Sequence, residues 1–332
     1  ATDLPPDRAV LDFLDTAGLT VPGQPGHFEA LSGGVSSDIW VVRAGASTFC
    51  VKRALDRLRV AADWRADIRR SATEVAWLKH VAAVNPDLVP AVLASDAALG
   101  VFAMEYLAPA DYEPWKARLA RGEVSAATAS AVGSGLASMH AAFAGSATAG
   151  VEFDTGDAFH ALRLEPYLLA TARAHADIAG VLEDLAERTS RTKVTVVHGD
   201  ISPKNILIGK RGPVFLDAEC AWFGDPAFDL AFCLNHLLLK TLWVPASEAD
   251  LLGSFDALKD SYLHGVAWES AAGLEGRAAR LLPALLLARV DGKSPVEYLT
   301  DQASKDMVRR VARSMLKDLP TGLDGVRRRW AD

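Results

Sequence analysis

Short apolar runs broken by glycine and polar turns dominate the first third of the chain, and longer stretches with apolar residues at helical spacing dominate the rest. Val10, Leu11 and Leu14 share one face ahead of Gly18, which predicts a helix over 7–18. Runs at 28–31, 38–43 and 48–53 predict strands, the first two joined by Ser32-Gly33-Gly34-Val35-Ser36-Ser37. Val75, Leu78 and Val81 predict a helix over 71–83, and strands follow at 91–94 and 101–105 across a turn at 95–100. Helices are then expected at 113–121, 125–143, 157–174, 177–189, 246–265, 271–290 and 300–316. A further one begins at Gly224-Asp225-Pro226, with Asp225 as the cap and Pro226 in the first helical position, and runs through Leu238.

One stretch interrupts the helical part. Two apolar runs, ending at Val197 and spanning 206–208, bracket the polar loop His198-Gly199-Asp200-Ile201-Ser202-Pro203-Lys204-Asn205, and a third run delivers Leu216-Asp217-Ala218-Glu219. Asp200, Asn205 and Asp217 thus stand at strand ends or in the loop between strands, an oxygen-rich set suited to a hard cation such as Mg²⁺. Phosphoryl transfer asks a protein for little more than this: an acceptor hydroxyl must be positioned and metal held against phosphate oxygens. Two other readings of the same residues stay open. One is a tight loop with a capped aspartate, and the other is a metal-dependent phosphohydrolase using His198, Asp200, Asp217 and Glu219.

The order and spacing of three blocks, His198-Gly199-Asp200 through Asn205, Leu216-Asp217-Ala218-Glu219 and Gly224-Asp225-Pro226-Ala227-Phe228-Asp229, resemble the aminoglycoside phosphotransferase and choline kinase-like family of the protein-kinase-like superfamily. The resemblance implies a bilobal protein-kinase-like α+β fold, with a small lobe holding an antiparallel sheet and one main helix, then a larger, mainly helical lobe. Its implied divisions are 1–104 for the nucleotide lobe, 105–110 for the connector and 111–332 for the catalytic and acceptor lobe. The implied cofactors are ATP and Mg²⁺. Asp200 would orient and deprotonate the acceptor hydroxyl, while Asn205 and Asp217 would bind the metal, with Glu219 a further candidate if 217–219 stay extended and put both carboxylates on one face. Lys52 would engage nucleotide phosphates, held by Glu74 from the helix downstream; Gly33, Gly34 and Ser36 would offer backbone to phosphates, and Glu105 and Leu107 would meet the adenine through the main chain. Asp229 would brace the catalytic loop, and His198 would organise it by hydrogen bonds rather than exchange protons. A nucleotide-binding regulatory module that does not catalyse is the competing reading; intact Asp200, Asn205 and Asp217 argue against it.

Composition narrows the partners. The 332 residues allow two lobes, and half of them are hydrophobic, which excludes a disordered chain. A net charge of −7 argues against nucleic acid as a partner, and the clusters Arg65-Arg69-Arg70 and Arg327-Arg328-Arg329 read as solvated faces. No apolar run has the length of a membrane span, and the first residues lack the order of a signal peptide. Cys50, Cys220 and Cys233 have no metal-ligand spacing and suggest buried thiols in a reducing compartment, so a cytoplasmic location is expected; the oligomeric state is not legible.

The acceptor is the least legible feature. Trp222, Trp243, Tyr262 and Trp268 would supply an aromatic cage for a quaternary amine if they met, and a polycationic aminoglycoside would need acidic surroundings. Uncharged alcohols such as sugars and polyols rank first. Arg163, Glu165 and Tyr167 stand out as polar residues in an apolar run, either as surface pairs or as acceptor contacts. Lys204 is open between a solvated loop residue and a phosphate contact. The segment 289–295 reads as a loop capping two helices, and His140 as a structural residue.

Overall fold

The computed structural model describes residues 6–24, 26–31, 36–56 and 67–332, which divide into two compact units, 1–111 and 112–332. In the first unit Asp7 caps helix α1 (Arg8–Thr16) by accepting from the Val10 N–H. Strands β1 (His27–Ala30), β2 (Ser37–Ala44) and β3 (Ser47–Ala54) lead to helix α2 (Arg70–Val84), then to β4 (Val92–Asp96) and β5 (Val101–Glu105). All neighbours pair antiparallel in the order β1-β2-β3-β5-β4.

Strand side chains alternate between faces. Trp40, Val42, Phe49, Val51, Val101 and Ala103 therefore share one face, where they bury Val10, Phe13 and Leu14 of α1. Lys52 has the opposite parity to Phe49 and Val51, and it meets Glu74 of α2. Arg70, buried at the start of α2, donates to the carbonyls of Ser36 and Leu55 and so ties the helix to the ends of β2 and β3. The sheet carries a helix on each face, one more than the sequence predicts as a main element.

The second unit opens with β6 (Tyr112–Pro114) and α3 (Trp115–Ala120), then α4 (Ala126–Phe143), α5 (Ala147–Glu152) and α6 (Gly156–Phe159). The expected helix over 113–121 is thus a strand followed by a shorter helix, because Tyr112–Pro114 pair with a strand almost a hundred residues away. A π-helical segment, His160–Leu169, contains Pro166 and runs into α7 (Ala170–Ala174), and α8 (Ala179–Arg191) follows. Next come β7 (Thr195–Val197), β8 (Ile206–Gly209), β9 (Gly212–Phe215) and β10 (Trp222–Gly224), with β10 paired to β7 and the others ordered β6-β8-β9. The chain ends in α9 (Ala227–Trp243), α10 (Glu248–His264), α11 (Ala271–Asp291), α12 (Gln302–Lys317) and α13 (Leu323–Ala331).

Helix α9 is buried almost all round, as an apolar helix at the centre of a lobe must be. It nevertheless carries Asp229, Asn235, His236 and Lys240 inside. All three cysteines are buried free thiols, Cys50 on β3, Cys220 beyond β9 and Cys233 on α9. Among the described residues no helix is long and apolar enough to cross a membrane.

Candidate functional site

In the first unit Lys52 and Glu74 form a buried bidentate pair, Nζ lying 2.9 and 2.7 Å from the two carboxylate oxygens. The spacing of 22 residues between strand and helix is therefore closed as expected. Ser36 contributes its carbonyl, bound to Arg70 and to the Leu55 N–H. Gly33 and Gly34 lie outside the described residues, as does Arg65. Glu105 closes β5 and accepts the Ala91 N–H through Oε2, while Leu107 is half-buried beyond it.

The second unit builds its loop between β7 and β8. Asp229, fully buried on α9, accepts the N–H groups of His198 and Gly199, both at 2.8 Å, and its Oδ2 also lies 3.2 Å from His140 Nε2. His140 in turn meets the Tyr262 hydroxyl through Nδ1. The buried carboxylate is thus the anchor of the loop's first turn. Gly199 takes φ +80°, and a Cβ there would come within 2.8 Å of the Cys220 carbonyl, so only glycine fits.

His198 is held at both ring nitrogens. Nε2 donates to the Leu216 carbonyl at 3.0 Å and Nδ1 accepts the Asp200 N–H at 3.1 Å, which sets the tautomer. Burial keeps the imidazole below its ordinary pKa despite the nearby carboxylates, so it is neutral near pH 7. With both nitrogens committed, His198 organises the loop and has no lone pair left for a metal.

Asp200 is buried and surrounded by donors. Arg163 Nη2 lies 3.0 Å from Oδ2, Lys204 Nζ 3.3 Å, and Asn205 Nδ2 donates to the same oxygen at 2.9 Å and to the Asp200 carbonyl at 3.1 Å. Burial pushes the carboxyl pKa up, but the Lys204 and Arg163 charges outweigh it and hold Asp200 below the usual carboxylate range. Asp200 is therefore ionised at neutral pH. Arg163 comes from the π-helical segment, and its Nε also donates to the Gly199 carbonyl at 2.6 Å. Such segments often occur at functional positions. Of the three polar residues noted in that run, Arg163 and Tyr167 are buried, whereas Glu165 forms ion pairs with Arg173 and Lys293 nearer the surface.

Asn205 links loop to strand, since its carbonyl accepts the Leu216 N–H, and its Oδ1 takes no hydrogen bond among the described residues. Asp217 follows at φ +70°, the single non-glycine residue with positive φ among those described. This turn corrects the expectation for Glu219. The stretch 216–218 is irregular and 219–220 is a turn, so the premise of one extended face for both carboxylates does not hold. No group of three or more His, Cys, Asp or Glu suited to a metal ion occurs among the described residues.

The aromatic cage is corrected as well. Trp222 stacks on Phe159, Tyr262 and Trp268 meet edge to face beside His140, and Trp243 stacks on Tyr298 with rings 4.6 Å apart, so the four side chains fall in three places and do not form one cage. The Trp243–Tyr298 pair already has a cation, Lys240, whose Nζ lies 4.6 and 4.2 Å from the two ring centroids. Asp225 accepts the Ala227 N–H, but helix α9 starts one residue later than expected, and the Asp225 carboxylate mainly pairs with Arg277. Of the arginines at 327–329, Arg327 meets Asp256 and Arg329 meets Asp318.

Sequence reasoning passed over His236, Lys240 and the role of Arg289. A signal existed: a histidine and a lysine four residues apart inside Leu237-Leu238-Leu239 and its apolar flanks cannot both be solvated on a buried helix.

A model of the phosphotransferase enzyme family matches residues 27–274. No curated protein matches the chain by sequence. Among solved structures, a choline/ethanolamine kinase family protein from Mesorhizobium loti is similar at 18% identity and a TM-score of 0.53, covering 96% of this chain and 98% of that one. An ethanolamine kinase from Plasmodium vivax is similar at 10% identity and a TM-score of 0.56, over 94% of this chain and 91% of its own. Both likenesses concern the fold, a mixed one with an antiparallel sheet first and a mainly helical part after it. With three quarters of its length matched, the chain belongs to the phosphotransferase enzyme family and has a protein-kinase-like fold.

Proposed function

We propose that the protein is a kinase that moves the γ-phosphate of ATP to a hydroxyl of a small molecule. The observation that carries this reading is the buried, ionised Asp200, bound through Oδ2 to Asn205, in a chain of a phosphotransferase family. Asp200 accepts the acceptor hydroxyl's hydrogen bond and aims its oxygen. Its low pKa makes it a weak base, which suits a loose phosphoryl-transfer transition state in which positioning outweighs proton removal. Arg163 fixes the rotamer of Asp200 and the Gly199 carbonyl together.

Asn205 Oδ1 and the Asp217 carboxylate are hard oxygen donors that fit Mg²⁺. When bound, the ion would neutralise charge on the phosphate oxygens. Lys52, oriented by Glu74, would hold nucleotide phosphates. Glu219 has no part in this scheme.

The test is ADP release with Mg²⁺ and ATP, run across a set of hydroxyl compounds beside the Asp200→Asn variant. Acceptor-dependent turnover should fall by roughly 10²–10⁴-fold in the variant while calorimetry shows ATP binding retained. Undiminished turnover in the variant would overturn the role of Asp200, and absence of ATP binding by the unaltered protein would overturn the kinase reading.

A further inference from the structure

Beside the Asp200 loop the second unit holds several buried cations, of which Arg289 and Lys240 make no ion pair among the described residues. Arg163, already paired with Asp200, also lies 5.9 Å from the Tyr167 ring centroid. Arg289 of α11 lies on that ring too, at 5.5 Å, and donates to the Tyr167 hydroxyl at 3.1 Å. Two guanidinium groups therefore share one aromatic ring, and the ladder leads from Asp200 away toward α9.

At its far end Lys240 is 1% exposed and makes no hydrogen bond and no ion pair among the described residues; its partners are the rings of Trp243 and Tyr298. Tyr298 has a buried hydroxyl with no hydrogen-bond partner, and Arg289 a buried Nε with none. His236, one turn before Lys240 on α9, is buried and makes no ion pair among the described residues. Lys116 has its own carboxylate, Glu297. Buried charge is costly without an opposite charge, and buried polar atoms are normally hydrogen-bonded. The chain is acidic overall, so this concentration of positive charge is a local reversal.

The groups feel one another. Burial lowers the Lys240 pKa to about 7, with Lys116 and Arg289 adding to the effect and Glu297 opposing it. Burial also lowers that of His236, reinforced by Arg289, Lys240, Lys204 and Lys116. Lys204, which touches Asp200, thus acts on the same cluster.

We propose that the acceptor is an alcohol bearing an anionic group, a carboxylate or a phosphate, which docks on Lys240, Arg289 and the Tyr298 hydroxyl while its own hydroxyl meets Asp200. This rests on the kinase reading above and replaces the uncharged alcohols that the sequence ranks first. An anion supplies the missing counter-charge and the missing acceptors at once. A quaternary amine or polyamine would meet repulsion there, and the aromatic pair that would receive it is taken by Lys240.

The test uses the full chain with Mg²⁺ and ATP, and matched acceptors: glycerol and sorbitol, glycerate and gluconate, glycerol 3-phosphate and glucose 6-phosphate, and ethanolamine with an aminoglycoside. Turnover is followed by ADP release, and binding of each compound by calorimetry in the presence of Mg²⁺ and ADP. Binding and turnover should be confined to the anionic compounds, and the stronger of the carboxylate and phosphate sets names the group. Lys240→Met should raise KM for the preferred acceptor by about tenfold or more with KM for ATP unchanged, and Lys240→Arg should recover part of the loss. Preference for a neutral or cationic acceptor overturns the inference and leaves the kinase reading intact. So does ATP binding with no anionic compound bound, or an acceptor KM that Lys240→Met leaves unmoved. Failure to bind ATP removes the kinase reading itself.

Discussion

The Asp200 loop and the Lys240 patch are both buried, both polar and both in the second unit, yet they are finished to different degrees. Around Asp200 the charged and backbone groups are matched, the Ser202 hydroxyl being an exception: Asp229 takes two loop N–H groups, His198 uses both ring nitrogens, and Arg163 spans a carboxylate and a carbonyl. Around Lys240, among the described residues, the ammonium has only two aromatic rings for company, and the Arg289 Nε and the Tyr298 hydroxyl have no hydrogen-bond partner. A satisfied network is rigid and holds chemistry in place, whereas an unsatisfied one carries a standing cost that only a further group can remove. The first has the character of machinery and the second that of a receptor.

The contrast is broken most sharply by Asp229→Ala. It strands two buried backbone donors and the His140 contact, and it should cost about 3–5 kcal/mol in denaturant unfolding, with turnover lost even where the fold survives. A loss under 1 kcal/mol would mean that the loop does not depend on its anchor.

Lys240→Met acts in the opposite direction. Removing an unpaired buried ammonium should raise the melting temperature, by about 2–4 °C for each kcal/mol recovered, while acceptor affinity falls. The pH dependence follows from the folded-state pKa of about 7 against 10.5 in its absence of burial. Between these values the unfolded chain holds the Lys240 proton and the folded chain does not, so stability contributed here rises with pH, at up to about 1.4 kcal/mol per pH unit, and flattens above and below. The difference in urea midpoint between the unaltered protein and the variant, followed from pH 6 to 9, below the range in which the buried thiols oppose it, should show that slope.

The smallest effect belongs to Arg327→Gln. Its pair with Asp256 is 2.9 Å long but about a third exposed on both sides, and its loss should change unfolding free energy by less than about 1 kcal/mol with no change in KM.

What the sequence disclosed was mostly local. The strands of the first unit and the loop from His198 to Asn205 are legible because each rests on nearby spacing or on turn chemistry, whereas the pairing of Lys52 with Glu74 is implied by the family resemblance alone. Strands β6 and β10 escape because three residues become a strand only when a distant partner supplies the ladder, Gly209 to Leu207 for one and Val197 to Thr195 for the other. Helices α5 and α13 are short and their apolar faces carry few residues, so the pattern is faint. Glu219 misleads because a single left-handed residue, Asp217, undoes the two-residue period. Tyr298 and Lys240 lie far apart along the chain, and only tertiary packing brings their unsatisfied atoms together.

The buried thiols give the molecule a clock of its own. Burial pushes the Cys50 pKa up to about 11 and holds Cys220 and Cys233 higher still, so none is a thiolate in the native state. Alkylation by iodoacetamide must therefore wait for each unit to open. Cys50 labels with the first unit, while Cys233 and Cys220, the latter lodged against Gly199, label with the second. Peptide-resolved mass spectrometry of a labelling time course then reads the opening of both units in one sample, and an acceptor that seats on the second unit should slow its two cysteines without a matching effect on Cys50.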